Sequence, residues 1–502
     1  MLLIHPPLTK PCEAPAALAY LQGALGHHDI SSTSCDMNIE GLYFLLEKTV
    51  KATDTWSRRA IKNVQHNCNS LKSRETYTNP DRYKRAVKDL NRVLDIVGQE
   101  HNLKLSLSNY QHSELSPLKS SDLLTAADEY RENIYFPYFS NRFDKLLSVS
   151  SSPFVGLSIN YISQALCSFA IIGFLKNNFP HAQIIVGGGL ITTWLSHPQW
   201  QNNFGDIIDH YIAGPGEEKL VQLLGKTSHK KYYCPDYSTL LHNEYISPGL
   251  ILPYAASTGC FWKKCSFCPE KAENNVYRQV PAKISCNQLG QLSTATQPTL
   301  IHFLDNAISP ATLQQLTATS PSLPWYGFAR FDAQLASKEF CIQLRKSGCV
   351  MLKLGLESGS QPVLNKMKKG IDLKIAEHVL VNLSEAGIKT YVYLLFGTPE
   401  EAQEDAERTL QFVARLHRNI SFLNLAIFNL PVGSEDHKAL QLSQFSDDDL
   451  TIYSDFKHPM GWDRKSIRNF LQNRFKRWDT IAEILHRDPP YFTSNHAPFF
   501  NL

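Results

Sequence analysis

Three cysteines, Cys260, Cys265 and Cys268, lie within nine positions of the sequence. Four residues separate the first pair and two separate the second. Thiolates prefer soft metals, and a loop this short can direct three sulfurs at one centre. An iron–sulfur cluster commonly takes four cysteines, so three ligands leave one metal position open, as catalytic metal sites require. The spacing therefore favours an iron–sulfur cluster with one open iron.

A zinc knuckle or an ordinary cysteine-rich turn is the alternative interpretation of the same residues. Zinc knuckles usually combine two short spacings with a nearby fourth ligand. Here the next cysteine is Cys286, and no histidine follows the three cysteines before His302. The spacing favours the cluster over zinc but does not exclude zinc.

The residues between the cysteines predict the environment of such a centre. Lys263 and Lys264 are expected to lower the pKa values of the thiols and so favour thiolates. Phe261, Trp262 and Phe267 are expected to shield the centre from water, which would affect its reduction potential.

Length and composition limit the class of protein. At 502 residues the chain is too long for one ordinary core and predicts two or three domains. The net charge of +3 gives no argument for a nucleic-acid or membrane partner. Eleven scattered cysteines are typical of reduced thiols. Residues 1–7 contain no basic leader, and the longest apolar stretch, 166–175, is too short to span a bilayer. We therefore expect a cytoplasmic enzyme.

Residues 1–240 alternate short apolar strands with helices, interrupted by a polar, helix-rich insertion at about 40–147. This alternation predicts a parallel, doubly wound sheet, which binds ligands at the carboxyl ends of its strands. The run Gly187, Gly188 and Gly189 follows one such end and would let a flat or phosphorylated ligand approach the backbone closely. A glycine-rich turn without a ligand explains the run equally well.

Residues 245–435 contain six strand–helix repeats, too few for a closed eight-fold barrel, so we predict an open, partial barrel. Polar residues follow successive strands of this block: the cysteine loop, Asp305, Arg330, Glu357 with Ser358, and Gly397. Each alone is more often a cap or a surface ion pair, but several at one end of a sheet indicate a site. The other cysteines of the block, Cys286, Cys341 and Cys349, are predicted to be packing residues.

Residues 436–502 predict a helical extension with an aromatic tail. Asp463 can cap a helix that continues to about His486. Its predicted apolar face consists of Ile467, Phe470, Leu471, Trp478, Ile481 and Leu485. The tail, 490–502, is expected to pack back on the protein, either near the barrel, where it would help to close a substrate cavity, or on this helix.

Several segments together resemble a known superfamily. The segment from Cys260 to Cys268, Gly355-Leu-Glu-Ser-Gly-Ser360-Gln and Phe396-Gly-Thr-Pro-Glu-Glu401 are similar to those of radical S-adenosylmethionine (SAM) enzymes, over about 245–433. Residues 2–7, 155–158, 187–189 and 214–217 resemble the cobalamin-binding domain that precedes the barrel in one large subgroup. The resemblance implies an α/β protein with a flavodoxin-like cobalamin-binding-type domain, a partial (β/α)6 radical SAM barrel and a helical C-terminal tail.

The resemblance also implies the cofactors and their contacts. Cys260, Cys265 and Cys268 would hold a 4Fe-4S cluster whose open iron takes the amino and carboxylate groups of SAM. The implied contacts with SAM and cobalamin are Phe267 to the adenine, Glu357 and Ser358 to the ribose or amino group, Arg330 to the carboxylate, Gly397 alongside the adenosyl group, and Gly187, Gly188 and Gly189 to cobalamin.

The resemblance implies reductive cleavage of SAM and removal of a substrate hydrogen. It favours cobalamin-dependent methyl transfer to an unactivated carbon as the overall reaction. Radical rearrangement, cyclisation or oxidation, with or without cobalamin, is the alternative. A non-catalytic iron–sulfur or corrinoid sensor belongs to another class, and the intact motifs at Glu357 and Gly397 argue against it. The implied partners are a small-molecule or peptide substrate and an external reductant of the flavodoxin or ferredoxin type.

The sequence departs from the family pattern at two places. Four residues separate the first two cysteines, whereas the commonest family spacing is three. The Asp-x-His-x-x-Gly signature that supplies a histidine to cobalt is missing, and His5 lies between Ile4 and Pro6. The first domain therefore either binds cobalamin without that histidine ligand or has lost the cofactor.

Overall fold

The computed structural model of the chain describes residues 1–52, 54–148, 152–227, 232–319, 323–443 and 448–488. These residues form two compact units. The first contains residues 1–251 and 448–452, and the second contains residues 252–443 and 453–488. Among these described residues, no helix combines the length and the apolar character that a bilayer span needs.

The first unit is built on a five-stranded sheet in which every pairing is parallel. Its strands and helices are β1 (Leu2–His5), α1 (Ala16–His27), β2 (Thr33–Asp36), α2 (Met37–Leu46), α3 (Thr55–Lys62), α4 (Val64–Leu71), α5 (Arg74–Tyr77), α6 (Pro80–Gln99), β3 (Leu103–Ser106), β4 (Asn109–His112), α7 (Ser120–Asp128), α8 (Phe136–Ser148), β5 (Phe154–Ser158), α9 (Ala165–Asn178), β6 (Gln183–Gly187), α10 (Gly189–Leu195), β7 (His210–Ile212) and α11 (Glu217–Leu223). The sheet order is β2-β1-β5-β6-β7. This is the strand order of flavodoxin-like sheets, with the switch point between β1 and β5.

The helical insertion is centred on α6. Asn79 caps this helix by accepting a hydrogen bond from the Arg82 backbone N–H at 3.1 Å, and Pro80 occupies its first turn. One stripe of α6 is buried and packs against α3, α4 and the β3–β4 hairpin. Sequence reasoning did not predict this hairpin, because its two strands are only four residues long and largely polar.

The apolar stretch 166–175 lies in the core helix α9. Every residue from Ala165 to Leu175 is buried, so the helix has no polar face over three turns. Helix α7 crosses it at Gly173, where a Cβ atom would lie 1.8 Å from the Ala127 carbonyl oxygen. A glycine is required there because the two backbones are nearly in contact.

The second unit contains a six-stranded sheet with the order β15-β14-β13-β12-β11-β8. Its elements are β8 (Ile251–Tyr254), β9 (Ser257–Thr258), α12 (Pro269–Ala272), β10 (Arg278–Gln279), α13 (Ala282–Thr296), β11 (Leu300–Phe303), α14 (Pro310–Thr319), β12 (Trp325–Ala329), α15 (Lys338–Lys346), β13 (Cys349–Glu357), α16 (Gln361–Lys366), α17 (Leu373–Glu385), β14 (Lys389–Phe396), α18 (Gln403–Arg415), β15 (Phe422–Ile427), β16 (Leu430–Pro431), α19 (Glu435–Ala439), β17 (Tyr453–Ser454), α20 (Arg464–Phe470) and α21 (Asp479–Arg487). The pairings from β11 to β15 are all parallel. The predicted α/β class with parallel sheets is thus confirmed.

The prediction of one continuous helix from Asp463 to His486 is wrong. Asp463 does cap α20, accepting the Ser466 backbone N–H at 2.7 Å, but residues 471–475 form a π-helical turn. A π turn adds a residue to the helical repeat and rotates the buried stripe. The helix is also interrupted at Trp478, whose backbone is extended, and α21 begins at Asp479. Trp478, predicted to face the core, is 38% exposed, whereas Ile484 is buried. The predicted packing of the aromatic tail concerns residues outside the described ranges.

Candidate functional site

The cysteine loop begins and ends at a short antiparallel pairing. Strand β9 pairs with β10, so the two ends of the loop formed by residues 259–277 lie side by side. Gly259 enters the loop with φ 71°, and a Cβ atom there would lie 2.9 Å from the Val276 carbonyl oxygen. The sharp entry and the close return of the chain both require glycine at this position.

The three thiols differ in their surroundings. Cys265 is buried, whereas Cys260 and Cys268 are half-buried. Burial raises the pKa of Cys265, and the positive charges of Lys369 and Arg330 oppose this effect. Burial also raises the pKa of Cys268 to about 11, although backbone N–H groups of the following helix α12 donate hydrogen bonds to its sulfur.

A set of three thiols that interact electrostatically with one another suits an iron–sulfur cluster by its donor chemistry. Within the described ranges, no three His, Cys, Asp or Glu side chains are grouped so as to hold a single metal ion. In an iron–sulfur cluster, by contrast, each thiolate can bind a different iron, so the sulfurs need not converge on one ion.

The prediction that Lys263 and Lys264 lower the thiol pKa values is wrong for Cys265 and Cys268, because burial raises both pKa values and neither lysine is among the largest influences on them. Lys263 donates to the Asn274 side-chain oxygen at 3.2 Å. Lys264 Nζ lies 4.8 Å from the ring centroid of Trp262. The cations that act on Cys265 are instead Arg330, which follows β12, and Lys369, which lies between α16 and α17.

Trp262 fixes the cysteine loop to the segment between α16 and α17. Its Nε1 donates to the Lys368 carbonyl oxygen at 3.0 Å, and its ring lies on Gly370, where a Cβ atom would be 2.0 Å from the ring. The guanidinium of Arg330 covers the ring at 4.4 Å from its centroid. The loop is therefore held by Trp262 as well as by the β9–β10 pairing at its two ends.

Glu357 ends β13 and forms a buried ion pair next to the loop. Its carboxylate lies 2.6 Å from Lys369 Nζ, and the two side chains are only 12% and 10% exposed. Arg330 donates to the Lys369 carbonyl oxygen, and Lys369 Nζ lies 5.5 Å from the ring centroid of Phe267. Arg330, Glu357, Phe267 and the cysteine loop, predicted from separate motifs, thus lie at one edge of the sheet, linked by Lys369, which the sequence did not indicate.

The backbone at Glu357 is strained. Its φ is 66°, a region that side chains other than glycine rarely adopt, and the pairing of β13 with β14 is irregular between Gly355 and Glu357. Such conformations persist where surrounding contacts over-determine them, which is typical of functional sites. Here the ion pair with Lys369 is one of those contacts.

Ser358, predicted to contact the ribose or amino group of SAM, lies within the turn that follows Glu357. Its side chain is fully buried, accepts the Ser360 backbone N–H at 3.1 Å and lies 3.3 Å from the Thr409 hydroxyl. The Thr409 hydroxyl also accepts the Gly359 N–H at 2.8 Å. The hydroxyl of Ser358 therefore shapes the turn that follows Glu357.

Gly397 ends β14 at the same edge, with φ 81°. Its N–H donates to Glu401 at 2.5 Å, and the same carboxylate oxygen accepts Trp462 Nε1 at 3.1 Å. A Cβ atom at Gly397 would lie 2.3 Å from the Ile467 side chain. The strand end is thus positioned by residues 462–467, a contact that no local motif reveals.

Asp305 connects the first two strand ends. It is 1% exposed and accepts hydrogen bonds from the Ala256 backbone N–H at 2.9 Å and the Ser257 hydroxyl at 2.5 Å. Burial raises its pKa to about 6, although these hydrogen bonds oppose the shift. Asp305 therefore fixes the segment that leads into the cysteine loop.

Glu401 should make the free energy of unfolding depend on pH. It is 1% exposed, and burial raises its pKa from 4.5 to about 8 in the folded protein. The protonated carboxyl therefore stabilises the fold fully below about pH 4.5, and this contribution is lost as pH rises through about 8. Between those limits the free energy of unfolding should fall by up to about 1.4 kcal/mol per pH unit because of Glu401, and we expect Glu401→Gln to remove this contribution.

Chemical denaturation of both proteins at pH 5, 6, 7 and 8 measures this slope. Glu404→Gln, on the exposed first turn of α18, is the matched control and should leave the wild-type slope unchanged. Equal slopes for wild type and Glu401→Gln would contradict the assignment.

In the first unit, the glycine run lies against the loop that follows β5. Gly188 has φ 105°, and a Cβ atom there would lie 2.5 Å from the Ile159 carbonyl oxygen. The Gly189 N–H donates to the Asn160 side-chain oxygen at 3.0 Å, and a Cβ atom on Gly187 would lie 3.2 Å from the Ile212 carbonyl oxygen. The requirement for glycine at position 188 is therefore explained by close packing between strand ends, without a ligand.

Gly188→Ala is therefore expected to destabilise the first unit. The strained φ costs about 1–3 kcal/mol, and the clash with the Ile159 carbonyl adds to it. Gly205→Ala is the control, because Gly205 has φ 57° but open space around its Cβ position. Urea denaturation should give a larger loss for Gly188→Ala. Equal losses would show that the close approach contributes nothing.

His5 ends β1, next to the switch point of this sheet. It is 6% exposed, its Nε2 lies 3.1 Å from the Thr9 hydroxyl, and burial lowers its pKa to about 4. Gln164 donates to the Pro6 carbonyl oxygen at 2.7 Å and accepts the Asn160 N–H at 2.8 Å. The segments that follow β1 and β5 are thus connected at the place where doubly wound sheets bind ligands.

Comparison with known sequences gives a partial match. A scan against protein-family models gives no match. A bacteriochlorophyllide d C-12(1)-methyltransferase of Chlorobaculum tepidum is 25% identical over 187 residues, which are 36% of this chain and 41% of that protein. The chain thus matches less than half of this curated relative.

Solved structures of low identity show the fold. The radical SAM methyltransferase TsrM from Kitasatospora setae, with tryptophan and a SAM analogue bound, has a TM-score of 0.54 and 15% identity, over 90% of this chain and 80% of that chain. The cobalamin-dependent radical enzyme OxsB, with aqua-cobalamin and SAM bound, has a TM-score of 0.52 and 15% identity, over 63% and 57% of the two chains.

Proposed function

We propose that this chain, which has the fold of cobalamin-dependent radical SAM enzymes, cleaves SAM reductively, removes a hydrogen atom from a substrate, and transfers a methyl group to the resulting carbon. Its cofactors would be a 4Fe-4S cluster, SAM and cobalamin. When bound, the cluster supplies the electron for cleavage of SAM, and cobalamin carries the methyl group.

One observation carries the proposal. Trp262 anchors the loop with Cys260, Cys265 and Cys268 to the Lys368 carbonyl oxygen and to the Arg330 guanidinium. Arg330 and Glu357 lie at the ends of the neighbouring strands β12 and β13. A soft-metal donor set beside a carboxylate and a guanidinium suits a ligand with both an amino and a carboxylate group, as SAM has.

The side chains of this edge would bind and orient SAM. Glu357 accepts from an ammonium or hydroxyl group, and Arg330 presents donors to a carboxylate. Lys369 holds Glu357 in its strained backbone conformation, and the half-buried Phe267 precedes the last cysteine. Gly397, positioned by Glu401 and covered by Ile467, would lie alongside the adenosyl group.

The first unit would bind cobalamin. Support comes from the flavodoxin-like strand order, because doubly wound sheets bind ligands at the switch point, here between β1 and β5. His5 Nε2 is engaged with Thr9 inside the protein. This contact supports binding of cobalamin without a histidine ligand from the missing signature.

Spectroscopy on anaerobically purified full-length protein tests the proposal. We expect four iron atoms per chain after reconstitution, an electron paramagnetic resonance signal that changes when SAM is added, and 5′-deoxyadenosine as a product. Protein from cells supplied with cobalamin should retain a corrinoid, seen by absorbance and mass spectrometry. SAM with a labelled methyl group then reports transfer to a candidate substrate.

The outcomes separate the parts of the proposal. Protein that holds zinc in place of iron would overturn the radical chemistry. Protein that takes up no corrinoid, yet forms 5′-deoxyadenosine at an unchanged rate, would overturn methyl transfer and leave a cobalamin-independent radical enzyme.

A further inference from the structure

A short segment between α16 and α17 lies along the cysteine loop. The Ser266 N–H donates to the Met367 carbonyl oxygen at 3.1 Å, and Trp262 Nε1 donates to the Lys368 carbonyl oxygen at 3.0 Å. The Trp262 ring also lies on Gly370, where a Cβ atom would be 2.0 Å from the ring. We call the segment from Met367 to Gly370 the clamp segment, because these contacts fix its backbone to the cysteine loop.

Lys369 directs a positive charge inward from the clamp segment. Only 10% of its side chain is exposed, whereas the side chain of the preceding Lys368 is 59% exposed. The Lys369 Nζ lies 2.6 Å from the Glu357 carboxylate. It also lies 5.5 Å from the ring centroid of Phe267, which precedes Cys268 in the loop. The clamp segment therefore places a buried ammonium beside the cysteine loop.

Gly355 of β13 makes room for this ion pair. A Cβ atom on Gly355 would lie 2.4 Å from Glu357 Oε1 and 2.9 Å from Lys369 Nζ. Both charged groups therefore lie against the backbone of the strand, where only a glycine leaves space for them. The strand thus holds the two charges at one fixed place, which gives them a defined electrostatic effect on the groups nearby.

The two charges of the pair act on the cysteine loop in opposite directions. Burial raises the pKa of Cys265; among the neighbouring charges Lys369 lowers this pKa most, and Glu357 raises it by less. A charge that stabilises a thiolate also stabilises an electron added to a cluster bound by that thiolate, because both changes add negative charge. The effect is largest for buried charges, which water and salt screen least.

We propose that Lys369 tunes the reduction potential of the cluster: its buried charge makes the cluster easier to reduce, and the Glu357 carboxylate offsets part of that charge. The inference rests on the proposed function, because it requires a cluster on the cysteine loop. Lys369 is a positioning residue that acts on the cluster through space, from a backbone fixed to the loop by the clamp segment. Its charge would bring the potential closer to that of an external reductant.

Reduction potentials of charge variants test the proposal without turnover. Full-length protein, anaerobically reconstituted with iron and sulfide, is titrated with dithionite and redox mediators in the absence of SAM, and electron paramagnetic resonance measures the reduced fraction. Lys369→Met should make the cluster about tenfold harder to reduce, a shift of about 59 mV to more negative potential. Glu357→Gln should shift the potential in the positive direction. The double variant should lie between wild type and Lys369→Met, because Lys369 has the larger effect.

Lys366→Met, which removes an exposed charge three positions away, is the control and should leave the potential unchanged. Thermal unfolding and iron content check that each variant is folded. If Lys369→Met is not, Lys369→Arg should keep the wild-type potential and the double variant should still be more negative. Unchanged potentials, or shifts of both single variants in the same direction, would overturn the inference alone. Wild type that binds no cluster would overturn the proposed function and this inference with it.

Discussion

Alanine in place of Cys260, Cys265 or Cys268 is expected to abolish SAM cleavage and to lower the bound iron well below four atoms per chain. All three thiols lie in one loop that is anchored by Trp262 and by the β9–β10 pairing. Loss of a residue that only supports a metal ligand typically costs about 10–100-fold in metal affinity or activity, and loss of a ligand should cost more. Iron analysis and the rate of 5′-deoxyadenosine formation measure the two effects.

Cys286→Ala is the matched control for these variants. Cys286 lies half-buried on α13 and accepts a hydrogen bond from the Thr319 hydroxyl at 3.4 Å. Its removal should leave iron content and SAM cleavage at wild-type levels. A triple variant of Cys260, Cys265 and Cys268 that held a full cluster and still cleaved SAM would contradict the assignment.

The buried ion pair between Glu357 and Lys369 gives the second large effect. Glu357→Gln should weaken SAM binding by about 10–100-fold, as loss of a charged contact of about 1.5–3 kcal/mol implies. It should also lower the free energy of unfolding by about 3–5 kcal/mol, because the ammonium of Lys369 would remain buried without its carboxylate. Lys369→Met should destabilise the protein similarly, by leaving the carboxylate unpaired.

The double variant separates stability from binding. Glu357→Gln with Lys369→Met removes both charges and should recover most of the lost stability, yet it should still bind SAM weakly. The exposed pair Lys338–Glu385, at 2.7 Å, is the control, and its removal should leave the free energy of unfolding nearly unchanged. Calorimetry and denaturation measure both quantities. A double variant with wild-type SAM affinity would contradict the proposed role of Glu357.

Periodic patterns predicted the parts of the fold that depend on local sequence. Strands β5 and β6 are short apolar runs between turn residues, and their parallel pairing follows from the helix α9 between them. Gly348 and Gly387 follow the C-caps of α15 and α17 with φ values of 100° and 73°, as is common for glycines that end helices. These features depend on residues that are neighbours in the sequence.

Contacts between distant residues were not predictable in the same way. Trp462 lies 61 positions from Glu401, and nothing in either sequence context indicates that they share a hydrogen bond. Lys369 lies in a run of lysines typical of a solvated surface, yet its side chain is 10% exposed. The π-helical turn at 471–475 was not predicted, because the apolar residues of this segment continue an ordinary α-helical pattern. Tertiary contacts decided each of these cases.

The return of residues 448–452 to the first unit has a consequence for synthesis of the chain. Asp449 accepts hydrogen bonds from the Ser120 backbone N–H and the Asn203 side chain at 2.8 Å, and the Leu450 N–H donates to the Leu118 carbonyl oxygen at 2.9 Å. The ribosome makes this segment only after residues 252–443. At about 5–20 residues per second, the first unit waits on the order of 10–40 s for its last piece. A fragment that stops near residue 251 would therefore lack part of its own domain, so truncation at the unit boundary is a poor way to produce it.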